Sequence, residues 1–199
     1  MGDCHFTVFE TAIGACALAW RADRIAGVQL PERDPAATRA RLLRRLPAAC
    51  EAAPAGTAAR AVAGIVALLE GVPDDLSDIV LDDAALPAFA RAVYAAARRI
   101  GPGATATYGE IADRIGAAGN ARAVGRALGL NPFAVIVPCH RVIAAGGRIG
   151  GFSAGGGAAT KGWMLAIEGG RVSAAPDLFS VARGADLARN GAAAARPAA

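Results

Sequence analysis

The run over residues 131–143, N-P-F-A-V-I-V-P-C-H-R-V-I, constrains the fold of this chain more than any other. Residues 133–137 are uncharged and rich in β-branched side chains, the composition of a buried strand, so the rest of the chain must supply its cover. Pro138 ends the run, because it has no N–H to give a ladder and fixes its own φ. A thiol, Cys139, and one of only two imidazoles in the chain, His140, follow at once. A rigid strand end is where a scaffold commonly presents reactive groups. Taken alone the pair is ambiguous. A free Cys is often a small buried hydrophobe, and adjacent side chains on extended backbone point to opposite faces. Contact between Cys139 and His140 would need a bridging water or a turn.

At 199 residues the chain can form one domain or two small ones with a real core. Hydrophobic residues make up 54%, much of it alanine, and no run reaches the roughly 18 apolar residues a membrane helix needs, so no membrane partner is expected. The first residues lack a basic start before an apolar core, so no secretory signal is read there. Cysteines at positions 4, 16, 50 and 139 show no close pairing motif and read as reduced thiols of a cytoplasmic protein. Charge is segregated: residues 1–90 carry 8 Arg against 12 Asp and Glu, net −4, whereas residues 91–171 carry 9 Arg and 1 Lys against 3, net +7. A basic half beside an acidic one points to a polyanion bound by the basic half, with nucleic acid favoured.

The N-terminal part, residues 1–85, reads as an α/β domain. Residues 6–10, 15–20 and 25–30 are short apolar runs with the pattern of a three-stranded antiparallel meander. Pro35 opens a helix with Leu42, Leu43 and Leu46 on one face, leaving Arg39, Arg41, Arg44 and Arg45 mostly solvated. Residues 47–57 read as loop. A second helix over 58–70 turns Val62, Ile65, Val66 and Leu69 inward, and residues 79–81 are a candidate strand.

Residues 86–171 read as mainly helical. Pro87 starts a helix to Ile100 with Phe89, Val93, Ala96 and Ile100 inward. Thr107-Tyr108-Gly109-Glu110 has the form of a capping box, and Asn120 caps a helix over 121–128. Helix, short glycine turn, helix is the helix-turn-helix order. The second helix has few groups able to read bases. Ala121, Ala123, Gly125 and Ala127 admit close approach to nucleic acid, leaving Arg122 to reach the groove or the base stack. Residues 144–147 read as a hairpin turn. Gly155-Gly156-Gly157 lacks the ending of a phosphate loop, and beside Cys139 it suits backbone N–H groups closing on a flat substrate. In the last helix, 160–168, Trp163 and Ile167 are expected inward. Glu168 stands where the helix dipole disfavours a carboxylate, so it needs a partner, and His140 is the candidate. Residues 172–199 read as an extension whose last ten residues are disordered.

The run Pro138-Cys139-His140-Arg141-Val142, with Asn131-Pro132 upstream, resembles the active-site signature of the O6-alkylguanine-DNA alkyltransferases, or methylated-DNA–protein-cysteine methyltransferases. The likeness extends over Tyr108-Gly109-Glu110-Ile111-Ala112, Arg122-Ala123-Val124-Gly125, Gly151-Phe152-Ser153, and Lys161 to Glu168-Gly169, most of residues 86–170. It implies an α+β fold: a ribonuclease-H-like α/β domain, then a winged-helix-like domain carrying the helix-turn-helix. It also implies DNA repair by direct reversal. Cys139 would take the alkyl group from O6-alkylguanine, with O4-alkylthymine a further candidate substrate, in an irreversible single turnover. By the same resemblance His140 would accept the Cys139 proton through a water, Glu168 would orient the imidazole, and Tyr108 would protonate the leaving guanine. Asn131 would hold the turn carrying the thiol. Arg122 would fill the stack vacated by a flipped base, with Ala121, Ala123 and Gly125 facing the minor groove. Phe152, Ser153 and Val142 would wall the base pocket. The partner implied is double-stranded DNA containing O6-alkylguanine, met by a monomer without a cofactor.

The sequence departs from the family in two places. Phe152 stands where the family often has Tyr, and the loop before Lys161 is one residue longer than in some members. A family zinc site would have to draw on Cys4, His5, Cys16 and Cys50, whose irregular spacing favours free thiols and no metal. Two other readings compete with transfer. A lesion-binding module without transfer is opposed by Cys139, and a sequence-specific helix-turn-helix regulator by the lack of base-reading side chains on 121–128.

Overall fold

The computed structural model describes residues 3–170; the expectations for residues 171–199 lie outside that span. The fold is mixed α+β. Three antiparallel strands, β1 (Cys4–Phe9), β2 (Cys16–Arg21) and β3 (Arg24–Gln29), form the expected meander to within two residues. A two-residue strand, β4 (Cys50–Glu51), adds in parallel to β1, giving the order β3-β2-β1-β4. It lies in a segment whose sequence pattern predicts only loop.

Helix α1 (Pro35–Arg45) begins at Asp34, whose carboxylate accepts the Ala37 N–H at 2.7 Å, a side-chain cap followed by proline at the first helical position. It covers one face of the sheet, where Leu42 is fully buried against Cys4, Phe6, Ala17 and Ala19. Helix α2 (Gly56–Leu69) covers the other. Its buried side is Ala58, Ala61, Ile65, Leu68 and Leu69, so Val62 and Val66 lie at the margin of the face rather than at its centre. Residues 79–81 form no strand, only a bridge from Leu81 to Ile25.

The second half packs on the α2 side of the sheet. One apolar cluster runs from Leu18, Ile25 and Val28, through Ile65, to Val93, Ile111, Val124, Phe133 and Met164. Helix α3 (Ala88–Arg98) supplies Val93, Tyr94, Ala96 and Ala97, whereas Phe89 is 38% exposed and does not belong to the inward face. A short strand β5 (Ala106–Thr107) leads into α4 (Tyr108–Arg114) through the complete capping box. Glu110 N–H donates to Thr107 Oγ1 at 3.2 Å, and Thr107 N–H donates to Glu110 Oε2 at 2.6 Å. Helix α5 (Ala121–Gly129) follows a glycine turn, but Asn120 makes no side-chain cap bond. Strand β6 (Val142–Ile143) pairs in parallel with β5, and α6 (Ala158–Ile167) closes the described chain.

Two expectations fail here. Residues 133–137 are buried but form no strand. Val137 N–H donates back to Phe133 O at 2.8 Å, and Val135 has φ +72°, a left-handed conformation costing a β-branched residue ~1–3 kcal/mol. On α6, Trp163 is 47% exposed and the inward face is Lys161, Met164 and Leu165. Among the described residues no helix is long and apolar enough to cross a membrane. The four cysteines are free thiols, and no group of three or more metal-binding side chains gathers among the described residues.

Candidate active site

The reactive turn is held from both sides of the molecule. Asn131 Nδ2 donates to Val137 O at 2.9 Å, and its Oδ1 accepts the Phe133 N–H at 2.9 Å, so one amide closes the tight loop before Pro138. The sheet grips the same loop, because Val28 N–H donates to Pro132 O at 2.8 Å. Cys139–Arg141 then form a single turn of 3₁₀ helix, not extended chain, which changes the relative directions of Cys139 and His140. Cys139 is half-buried, while His140 and Arg141 are fully buried.

Glu168 organises the interior of this turn. Its side chain is 1% exposed and accepts His140 Nε2 at 2.8 Å, Arg141 Nη2 at 2.8 Å and Arg141 Nε at 2.9 Å. Arg141 Nη1 donates to Ile100 O at 2.6 Å. Burial alone would raise the Glu168 carboxyl, but the hydrogen bonds and charges of His140 and Arg141 together hold it down to about 2. Burial pushes the His140 imidazole down, against the pull of Glu168. A neutral imidazole facing an ionised carboxylate must carry its proton on Nε2. The Nδ1 lone pair is then an acceptor, and it has no partner among the described residues.

Around the sulfur the balance is finer. Burial pushes the Cys139 thiol up, opposed by the Asn131 side chain, the Lys161 charge, and the backbone N–H groups of Cys139 and His140. Lys161 is fully buried, its Nζ donating to Val142 O at 2.5 Å and to Tyr108 Oη at 3.4 Å, and lying 5.6 Å from the Tyr108 ring centre. Burial brings this ammonium down to about 8, with Cys139 pulling the other way. Tyr108, at the first position of α4, is pushed up by burial and by Cys139. Ser153 Oγ donates to Gly129 O at 3.0 Å, tying the Phe152 loop to the end of α5.

A cavity of about 560 Å³ opens between these groups, lined by Cys139, Tyr108, Phe152 and Ser153, and by Ala121, Arg122 and Gly125 of α5. The structure thus gathers most of the sequence-assigned residues at one opening, with Asn131, His140 and Glu168 behind the thiol. Ala123 lies on α5 but does not line the cavity. Val142 does not line it either: its side chain is in the core, and its carbonyl serves as the anchor for Lys161. Sequence reasoning assigns no role to Arg141 or Lys161. A signal for Lys161 is present, because Lys161, Met164, Leu165 and Glu168 follow the i, i+3, i+4, i+7 spacing of one helix face, with charges at both ends.

The chain is also similar to known proteins. Residues 88–170 match the family model of the 6-O-methylguanine DNA methyltransferase DNA binding domain. The methylated-DNA–protein-cysteine methyltransferase of Mycolicibacterium paratuberculosis is 54% identical over 80 residues, 40% of this chain and 47% of that protein. The chain thus spans about half the length of the curated relatives it matches. Among solved structures, the O6-methylguanine methyltransferase of Mycobacterium tuberculosis superposes with a TM-score of 0.67 at 34% identity, covering 89% of this chain and 98% of that one. Mycobacterium tuberculosis OGT in complex with DNA gives a TM-score of 0.69 at 34% identity, covering 89% and 98%.

Proposed function

The chain belongs to the methylated-DNA–protein-cysteine methyltransferases, and from that premise we propose that it repairs DNA by moving an alkyl group from guanine O6 onto Cys139. The observation that carries this reading is a partly buried Cys139 lining an open cavity, backed by an imidazole that Glu168 fixes in one tautomer.

The chemistry proceeds from those contacts. The Cys139 proton passes to His140 Nδ1 through one bridging water, and Glu168 and Arg141 hold the imidazole in place as it becomes charged. The thiolate attacks the O6-bound carbon; the S–C bond forms as the C–O6 bond breaks, and the electron pair leaves with guanine. Tyr108 donates a proton to the departing base, and Lys161, donating to the phenol oxygen, makes that proton easier to give. The thioether is the stable end of the displacement, so each molecule acts once.

Inside a duplex the base is out of reach of any protein thiol, so it must be flipped out at a cost of a few kcal/mol. Arg122, exposed on α5 at the cavity rim, fills the gap left in the stack, with Ala121 and Gly125 allowing the backbone to come close. The small side chains of α5 and the net positive charge of residues 91–171 support double-stranded DNA as the partner, met by a monomer. We assign DNA contact and transfer to residues 86–171, in a winged-helix-like arrangement. Residues 1–85, with strand order β3-β2-β1-β4, form a ribonuclease-H-like support, and the free thiols suit the cytoplasm.

Incubation with a duplex bearing O6-methylguanine, followed by digestion to nucleosides, should show at most one guanine restored per protein molecule even with excess DNA. Tight binding with the methylated base left intact would favour a lesion-binding module instead.

A further inference from the structure

Two cavities meet at Cys139, and the flipped base accounts for only one. In the reading above, on which the following rests, the purine enters between Tyr108 and α5. A second cavity, about 380 Å³, is lined by the same Cys139 and the same Phe152 and reaches Arg41, Arg44 and Arg45 of α1. Its walls also include Ala134 and Leu30, apolar side chains that suit a hydrocarbon chain. A methyl group travelling to the sulfur has no use for this room.

The far end carries three arginines against one carboxylate. Arg41 is held by Glu32 at 3.0 Å, and that carboxylate also accepts Gln29. Arg45 gives one N–H to Pro132 O at 3.2 Å, and Arg44 has no ion pair among the described residues. Among the described residues no Asp or Glu lines the cavity. All three arginines are exposed, so an anion can reach them, and the charge of Arg41 beside Arg45 is a repulsion that an anion would relieve.

We propose that this annex receives the substituent on guanine O6 and selects for substituents ending in a carboxylate, which Arg44 and Arg45 bind. The reacting atoms are those of methyl transfer. With O6-(3-carboxypropyl)guanine, the thiolate attacks the carbon attached to O6, and the S–C bond forms as the C–O6 bond breaks. The electron pair leaves with guanine, which is protonated, and the carboxypropyl chain remains on sulfur with its carboxylate at the arginines. A DNA phosphate is the other anion these arginines could meet. The annex is lined by Cys139, however, so a group carried on O6 is delivered to it as the base reacts, whereas a phosphate is not.

The test compares single-turnover rates on three duplexes, carrying O6-methylguanine, O6-(3-carboxypropyl)guanine and its neutral amide isostere. A charge-assisted pair predicts the carboxylate to react roughly tenfold faster than the amide in the unaltered protein. The variant Arg44→Gln should narrow the gap between the two while leaving methyl transfer unchanged. Because Arg45 also steadies the loop at Pro132, Arg44→Glu alone is the second variant, and it should make the amide the faster substrate. Normal methyl transfer with equal carboxylate and amide rates in the unaltered protein would overturn the annex and leave the transfer reading standing. So would variants that slow all three substrates alike, the sign of a phosphate contact. Absence of methyl transfer in the unaltered protein would overturn both.

Discussion

Cys4-His5 and Cys139-His140 are the same dipeptide set in two different backbones. On β1 the side chains alternate, so Cys4 is buried beneath α1 while His5 lies on the other face, 5.9 Å from Trp20 between ring centres. In the 3₁₀ turn, Cys139 lines an open cavity and His140 is anchored by Glu168. Both imidazoles have a buried Nδ1 without a partner among the described residues. Only His140 has a carboxylate fixing its proton on the opposite nitrogen, and only Cys139 has an amide and a buried ammonium working against its desolvation. Reactivity here comes from the turn and from the third group, not from the pair.

Four outcomes can break or sharpen that contrast. The largest concerns the sulfurs. Cys139→Ala should abolish transfer of a labelled methyl group from O6-methylguanine DNA while retaining DNA binding, and Cys4→Ala should leave the rate as it was. Equal losses would erase the distinction. Next come the imidazoles: His140→Ala should slow single-turnover transfer by ~10²–10⁴, the usual worth of a positioned general base, and His5→Ala should not. Third, Glu168→Gln leaves the buried Arg141 charge unanswered, and urea denaturation should register a loss of ~3–5 kcal/mol. An unchanged midpoint would show that Arg141 finds another partner.

The smallest effect is one of pH. The Glu168 carboxyl is lowered from 4.5 to about 2 in the folded protein, so the stability it adds is fully present above 4.5 and is lost as pH falls toward 2. The shift corresponds to ~3 kcal/mol. The gap in unfolding free energy between the unaltered protein and Glu168→Gln should therefore narrow over that window, and a gap independent of pH would contradict the assignment.

Much of this was legible in the sequence. The meander, the capping box at Thr107 and the helical order of residues 86–170 follow from alternation, cap chemistry and 3.6-residue spacing, which are local. The carboxylate at the end of α6 announced its need for a partner. What escaped was set by tertiary contacts. Residues 133–137 have strand composition, yet the Asn131 amide and the bond from Val137 to Phe133 O fold them into a tight loop with Val135 left-handed. On α6 the apolar Trp163 and Ile167 suggested the wrong face. A buried Lys161 and Glu168 can face inward only because the Val142 carbonyl, His140 and Arg141 are there to meet them. Strand β4 is two residues long and exists by pairing with β1, so no periodicity could disclose it.

The most direct test is peptide mapping of the intact protein by mass after reaction with O6-methylguanine DNA, with every cysteine followed. The account predicts one methyl group, on Cys139, with Cys4, Cys16 and Cys50 unmodified. A methyl group on any of those three, or none on Cys139 while the DNA is bound, would contradict it.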